Sequence, residues 1–277
     1  MSEKVTVGAL QQMKGDGCKI VAVVAWDYQM ARICDRAGVE IVSVGDSVGV
    51  NLWGQANPLE VTLEQMLLVA QAVRRGVGRA LVSVDLPFGP VQEGTGSAVG
   101  AAVRLVKEAG ADLVKIDAAA DFPEAVSAVA RAGIPVWAQF GITPQTSLRH
   151  GIDYSALFSP GAQVPAGMRA ALAADARRLE EAGAVLLDFT NSGPAAGPEV
   201  VQAVSIPVLG GAGGGPWLDG RVRMAHAAIG YAASALDSPP ETYANVAQTA
   251  LGAITSYARD VRAGRQIKGG IRTPPGA

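Results

Sequence analysis

Four short apolar runs in this chain each end in an aspartate, and no other feature narrows the choice of fold as much. Residues 41–47 read Ile-Val-Ser-Val-Gly-Asp-Ser, a β-branched run broken abruptly by Gly, Asp and Ser. It is short enough, and rich enough in Val and Ile, to be a buried strand. The same grammar returns at 80–85 (Ala-Leu-Val-Ser-Val-Asp), at 112–117 (Asp-Leu-Val-Lys-Ile-Asp) and at 184–188 (Ala-Val-Leu-Leu-Asp). A carboxylate just past such a strand sits at its C-terminal end, where parallel α/β folds place their chemistry. Helical patterns separate the runs, so several carboxylates are expected to meet on one face of a barrel.

Taken in order, strands are expected at 20–25, 41–46, 80–85, 112–117, 134–138, 184–188 and 206–209, with an eighth near 227–231. Between them lie helical patterns. One covers 29–37 and stops at Gly38; another follows a cap at Thr62, with Leu63, Met66, Leu67, Ala70 and Val73 at helical spacing. Further helices are expected at 97–109, 122–132, 166–182 and 242–263. Residues 149–165 form a polar, Gly-rich excursion that reads as a candidate lid. Strands alternating with helices along one chain favour a (β/α)8 TIM barrel, with a doubly wound open sheet as the alternative. Residues 1–264 are expected to form one barrel domain and 265–277 a flexible tail. At 277 residues the chain suits that size, since α/β barrels commonly run to ~250 residues as one domain.

Composition removes several classes of function. The 23 basic and 25 acidic residues leave a net charge of −2, with no basic block or aromatic-basic interleaving, so no nucleic-acid partner is expected. No apolar run approaches the ~20 residues that span a bilayer, so no membrane partner is expected either. The first residues carry no basic segment followed by an apolar core, the mark of a signal peptide. Cys18 and Cys34 lack metal-ligand spacing and are too few for a disulfide framework. A cytoplasmic protein with reduced, inert cysteines is the expectation.

Asp46, Asp85 and Asp117 are the leading candidates for chemistry. Hard oxygen ligands at converging strand ends suit Mg²⁺, which keeps several waters and takes one or two carboxylates plus substrate oxygens. The same aspartates can also cap helices or start turns. Lys115 shares a side of its strand with Asp117, and a buried Lys needs a partner; a substrate carboxylate or Asp117 can supply it. Ser47 can donate to a substrate carboxylate or cap the next segment. The Gly-rich stretch at 210–216 reads as a tight turn or a phosphate cradle, and Pro216 breaks the dinucleotide pattern. His226 reads as structural, and His150 is open to either reading.

The order of motifs resembles the ketopantoate hydroxymethyltransferase family. They are Ala-Trp-Asp-Tyr (25–28), Val-Gly-Asp-Ser-Val-Gly (44–49), Val-Thr-Leu-Glu-Gln-Met (61–66), Ala-Val-Arg-Arg-Gly (72–76), Val-Asp-Leu-Pro-Phe (84–88) and Val-Lys-Ile-Asp (114–117). Phe-Gly-Ile-Thr-Pro-Gln (140–145), Leu-Glu-Glu-Ala-Gly-Ala (179–184) and Ile-Pro-Val (206–208) complete them. That resemblance implies a barrel of the phosphoenolpyruvate mutase/isocitrate lyase type. It implies a divalent cation, usually Mg²⁺, that grips a small 2-oxoacid, with methylenetetrahydrofolate as the one-carbon donor. It also implies a homo-oligomer, commonly a decamer. Carried over position by position, Asp46 and Asp85 match metal ligands, while Ser47 and Lys115 match residues that hold the oxoacid.

Three positions depart from the family pattern: Asp117 stands where it has Glu, Gln139 where it has His, and Thr190 where it has a catalytic Glu. A Thr hydroxyl cannot act as a carboxylate base without another group to take its proton. Asp188, two residues earlier and on the same side of its strand, is the candidate base, so Asp188, Thr190 and Gln139 form the expected catalytic set. The expected activity is metal-dependent hydroxymethyl transfer. A folate-independent aldolase or lyase acting on a 2-oxoacid, or a non-catalytic metabolite-binding relative, is the alternative.

Overall fold

The computed structural model describes residues 3–157, 164–237 and 241–269. The chain divides into two compact units, Met1–Arg223 and Met224–Ala277. The strands are β1 (Ile20–Val24), β2 (Ile41–Val44), β3 (Leu81–Asp85), β4 (Leu113–Ile116), β5 (Val136–Gly141), β6 (Ala184–Thr190), β7 (Val208–Leu209) and β8 (Gly220–Met224). Their order in the sheet is β7-β6-β5-β4-β3-β2-β1-β8, and the eight parallel strands form a nearly closed barrel. Sequential order is what strand-helix-strand units give when each crossover turns the same way, and it rules out the doubly wound sheet.

The helices of the first unit are α1 (Val7–Gly15), α2 (Tyr28–Ala37), α3 (Val48–Trp53), α4 (Leu63–Gly76), α5 (Thr95–Ala109), α6 (Pro123–Arg131), α7 (Arg169–Glu181) and α8 (Gly193–Ala203). Local chemistry sets their ends. Asp27 accepts from the Met30 amide at the start of α2, and Gly38 closes that helix at φ 86°, a left-handed conformation that favours Gly. Thr62 and Gln65 form a reciprocal capping box at the start of α4. The second unit carries α9 (Ala225–Ala228), a 3-10 turn (Ala233–Leu236) and α10 (Val246–Arg262). Among the described residues no helix is long and apolar enough to cross a membrane.

Strand periodicity layers the barrel interior. At the bottom, Ile20, Ile41, Leu81, Leu113, Trp137, Leu186 and Leu209 converge from seven strands, with Leu10 of α1 packed into the same cluster. Two residues further along five of those strands, on the same inward face, stand Ser43, Ser83, Lys115, Gln139 and Asp188, all buried. One more step of ~7 Å along the strand brings Asp85, Asp117 and Thr190. An apolar floor thus carries a polar middle and an acidic mouth.

The eighth strand differs from the sequence expectation. Residues 225–228 are helical, and the strand is Gly220–Met224, whose Arg-Val-Arg alternation hides a half-exposed strand from a search for apolar runs. α1 and α8 also lack a strong sequence signal, since α8 is Gly-rich with Pro198 inside it. Most of the candidate lid (149–165) is described, but residues 158–163 lie outside the described residues, as do 270–277 of the expected tail. Cys34 is buried, and burial followed by the Asp27 charge pushes its thiol up to about 11, which fits an inert packing role.

Candidate active site

The strand ends bring Asp46, Asp85 and Asp117 together above Lys115 and Asp188 of the layer below, and all five are buried. In register, Asp85 of β3 lies beside Lys115 of β4, which lies beside Trp137 of β5. Lys115 Nζ is 2.7 Å from Asp188 Oδ2 and lies 5.0 Å from the centre of the Trp137 ring. The sequence left Lys115 a choice between a substrate carboxylate and Asp117; its partner is Asp188, reached across the barrel from β6. Burial alone disfavours a charged ammonium, but the charges of Asp188 and then Asp85 outweigh it, so Lys115 stays protonated well above its usual range.

Asp46 and Asp85 approach through the backbone, because the Asp46 amide donates to Asp85 Oδ2 at 3.4 Å. Gly45 leaves room for the Ser47 hydroxyl, since a Cβ there would lie 2.9 Å from Ser47 Oγ, while its 3.6 Å from Asp85 Oδ2 would be ordinary contact. Ser47 begins α3, and its hydroxyl does not cap that helix. Burial pushes the Asp46 carboxyl up to about 6, reinforced by the Asp117 charge and opposed by a hydrogen bond from Gln145. Burial likewise raises Asp85 to about 7 against the pull of Lys115, with Asp46 and Asp188 adding to the rise.

Asp117 sits next to Asp46, but protein donors occupy its carboxylate. The Ala118 amide donates to Oδ1, the Gln145 amide to Oδ2 at 3.2 Å, and the Thr143 side chain also hydrogen-bonds to it. Burial still raises Asp117 to about 6. Gln139 Nε2 of β5 donates to Thr190 Oγ1 of β6 at 2.8 Å, which leaves the Thr190 proton for another acceptor.

The donor set suits a hard divalent cation. Asp85 Oδ1 and Asp188 Oδ1 are buried and accept no hydrogen bond from the protein. Four carboxylates face one ammonium, an imbalance that a cation would relieve. Among the described residues, no three His, Cys, Asp or Glu side chains enclose a metal by themselves. The fit is therefore Mg²⁺-like, with few protein ligands and the remaining positions left to water and substrate oxygens.

The Gly-rich stretch is not a phosphate cradle. Arg221 of β8 reaches into it and donates to the carbonyls of Gly210 (3.1 Å) and Gly211 (2.9 Å), and to that of Gly214 (2.5 Å). A phosphate needs N–H groups pointing inward, whereas here carbonyls do, and a cation already serves them. His226 is buried in α9, and His150 is exposed at the end of the 3-10 turn Ser147–His150.

Two residues at the site escaped sequence reasoning. Gln145 Nε2 donates to Asp46 Oδ2 at 3.0 Å while its own amide serves Asp117, so one residue ties two carboxylates together. It stands in the run 140–145 that carries part of the family resemblance, the one signal that marked it. Tyr154, in the 3-10 turn Tyr154–Ala156, feels the Asp46 charge after burial as the second cause that raises its phenol. Tyr154 also lines a cavity of about 300 Å³ between the connection after β2 and the connection after β5.

The eight-stranded parallel barrel, with buried carboxylates at its C-terminal mouth, is similar in fold to solved members of the phosphoenolpyruvate mutase/isocitrate lyase superfamily. A 2,3-dimethylmalate lyase of that superfamily superposes with a TM-score of 0.59 at 15% identity, covering 94% of this chain and 88% of that one. A phosphonopyruvate hydrolase solved with oxalate and Mg²⁺ superposes with a TM-score of 0.57 at 16% identity, covering 94% and 88%. Residues 4–266 match the family described as ketopantoate hydroxymethyltransferase. The 3-methyl-2-oxobutanoate hydroxymethyltransferase of Salinibacter ruber is 40% identical over 94% of this chain and 95% of its own length. That of Pyrococcus abyssi is 39% identical over 95% and 89%. The chain belongs to the ketopantoate hydroxymethyltransferase family, and its class is transferase.

Proposed function

We propose that this enzyme moves a hydroxymethyl group from methylenetetrahydrofolate to the enolisable carbon of a small 2-oxoacid, with Mg²⁺ at the barrel mouth. The relatives' name makes 3-methyl-2-oxobutanoate the first substrate to try. The observation that carries the reading is the buried carboxylate cluster facing Lys115, with two carboxylate oxygens that no protein group serves.

Asp46 and Asp85 would hold the cation, with Asp117 close enough to act through a water. When bound, the cation supplies Lewis-acid polarisation of the substrate carbonyl. Ser47 and Lys115 bind the oxoacid carboxylate and orient its chain. Asp188 takes the proton from the carbon next to the ketone, with Oδ1 as the accepting atom and Lys115 holding the carboxylate through Oδ2. Gln139 fixes the Thr190 oxygen, so the Thr190 hydroxyl donates toward the reacting group. The overall change balances. The substrate C–H proton and one proton of water end on the two donor nitrogens, the water oxygen becomes the new hydroxyl, and one C–C bond and one C–O bond replace two C–N bonds. A homo-oligomer in the cytoplasm completes the proposal.

The test incubates the enzyme with Mg²⁺, 3-methyl-2-oxobutanoate and methylenetetrahydrofolate and follows the products by NMR. The expected result is a hydroxymethylated oxoacid whose formation stops with chelator. Absence of product across a panel of 2-oxoacids would overturn the reading. The non-titrating pair Gln139 and Thr190 favours a second reading, folate-independent cleavage of a 4-hydroxy-2-oxoacid. Cleavage at an undiminished rate without folate would select it.

A further inference from the structure

The mouth of the barrel accounts for the oxoacid but not for a second organic reactant. We infer that the cavity between the connections after β2 and β5 seats the flat, nitrogen-rich head of the one-carbon donor. This rests on the transfer reading above and adds where the donor binds.

Three observations carry it. The first is position. Tyr154 forms part of the cavity wall and interacts electrostatically with Asp46, while Pro144 and Ser147 of the wall flank Gln145 and Thr146. Gln145, next in the chain to Pro144 of the wall, has its side chain on Asp46. A donor bound here can present its carbon to an oxoacid held by Lys115 and Ser47 without displacing it.

The second is size. About 300 Å³ is at the lower end of small-molecule pockets, room for a fused bicyclic ring but not for a whole folate with its glutamate tail, which would extend outward.

The third is chemistry. Leu59, Pro144 and Leu148 offer apolar contact suited to the faces of a ring. Asp153 lines the same cavity and begins the turn Tyr154–Ala156 without capping it, so its carboxylate is not committed to that turn. A carboxylate is the natural acceptor for the adjacent N–H groups of an amino-pyrimidinone edge, which present two parallel donors.

The experiment uses the full-length enzyme with Mg²⁺ and two cavity-filling substitutions at exposed positions, Ala56→Trp and Ser155→Trp, with Asp153→Asn as a third variant. Three quantities are read: the KM for methylenetetrahydrofolate, the calorimetric affinity for tetrahydrofolate, and deuterium exchange into 3-methyl-2-oxobutanoate without donor. The exchange reports the oxoacid half of the site alone. The expected result is a rise of about tenfold or more in donor KM (about 1.4 kcal/mol), a matching loss of tetrahydrofolate affinity, and an exchange rate little changed. An unchanged donor KM in both Trp variants overturns the placement while the transfer reading stands. Loss of exchange in step with donor binding also overturns it, because the cavity then serves the oxoacid. A wild-type enzyme that exchanges deuterium but neither binds tetrahydrofolate nor forms product refutes the transfer reading itself.

Discussion

Lys115 and Asp188 come from strands separated by β5, yet their charged atoms meet at 2.7 Å in the interior of the barrel. Their neighbours Leu113 and Leu186 lie two positions earlier in the apolar floor, so the pair stands directly above the packed core. Asp188 without Lys115 is an uncompensated buried charge, whereas the burial of Lys115 is offset by Asp85 as well as by Asp188. The pair sets the protonation of the cluster: Lys115 also lowers the carboxyls of Asp46, Asp85 and Asp117 against their burial.

Removing one partner is expected to be costly. Lys115→Met leaves Asp188 buried and unpaired, and the loss of stability should be about 3–5 kcal/mol by chemical denaturation. Asp188→Asn keeps the shape and a hydrogen-bonding oxygen, so its fold should survive. Deuterium exchange into the oxoacid should nevertheless fall by about a hundredfold, the lower end of what a general base contributes. Full exchange in Asp188→Asn would assign the base elsewhere.

The raised carboxyls give the cation-free protein a distinctive pH response. An ordinary Asp titrates near ~3.9, whereas Asp46 and Asp117 lie at about 6 and Asp85 at about 7. The folded state therefore binds protons more tightly than the unfolded state. The resulting stability is complete below ~4 and is lost as pH rises through about 6 to 7. Asp35 and Asp112 shift the other way, held low by backbone donors despite partial burial, and act at more acid pH. Thermal melts in chelator should show a Tm that falls between about pH 5 and pH 8. Added Mg²⁺ should raise the Tm more at the upper end, where protons no longer compete. A flat profile in chelator would contradict the cluster's electrostatics.

Gln145 should matter for cation binding although it is not a ligand. Gln145→Leu removes the donor to Asp46 Oδ2 and leaves the amide contact to Asp117 in place. With Asp46 no longer held in position, Mg²⁺ affinity by titration calorimetry should fall about tenfold, close to the ~1.5 kcal/mol of one hydrogen bond to a charged group. Gln145→Glu should fare worse, because it sets another carboxylate against Asp46.

Arg221 is expected to act as a structural clamp. Arg221→Ala frees the carbonyls of Gly210, Gly211 and Gly214, and the loss of stability should be about 2 kcal/mol by urea melt. Inorganic phosphate should not raise the Tm of the unsubstituted protein. Protection by millimolar phosphate would restore the cradle reading of this loop.

The strand-then-Asp runs at 41–47, 80–85, 112–117 and 184–188 made the barrel and its acidic mouth legible, because alternation and β-branching are local properties of a buried strand. The family motifs made the transferase class legible in the same way, residue by residue. Tertiary structure decided the pairings. Lys115 meets Asp188 rather than Asp117, Asp117 is taken up by Ala118, Thr143 and Gln145, and β8 lies at Gly220–Met224. β8 escaped because its polar alternation carries no apolar run, and the two pairings share another physical reason. Strand periodicity says which side of a strand a side chain takes, but closing the barrel determines which side chains from distant strands share one low-dielectric space, and only there do charge and hydrogen bonding choose partners.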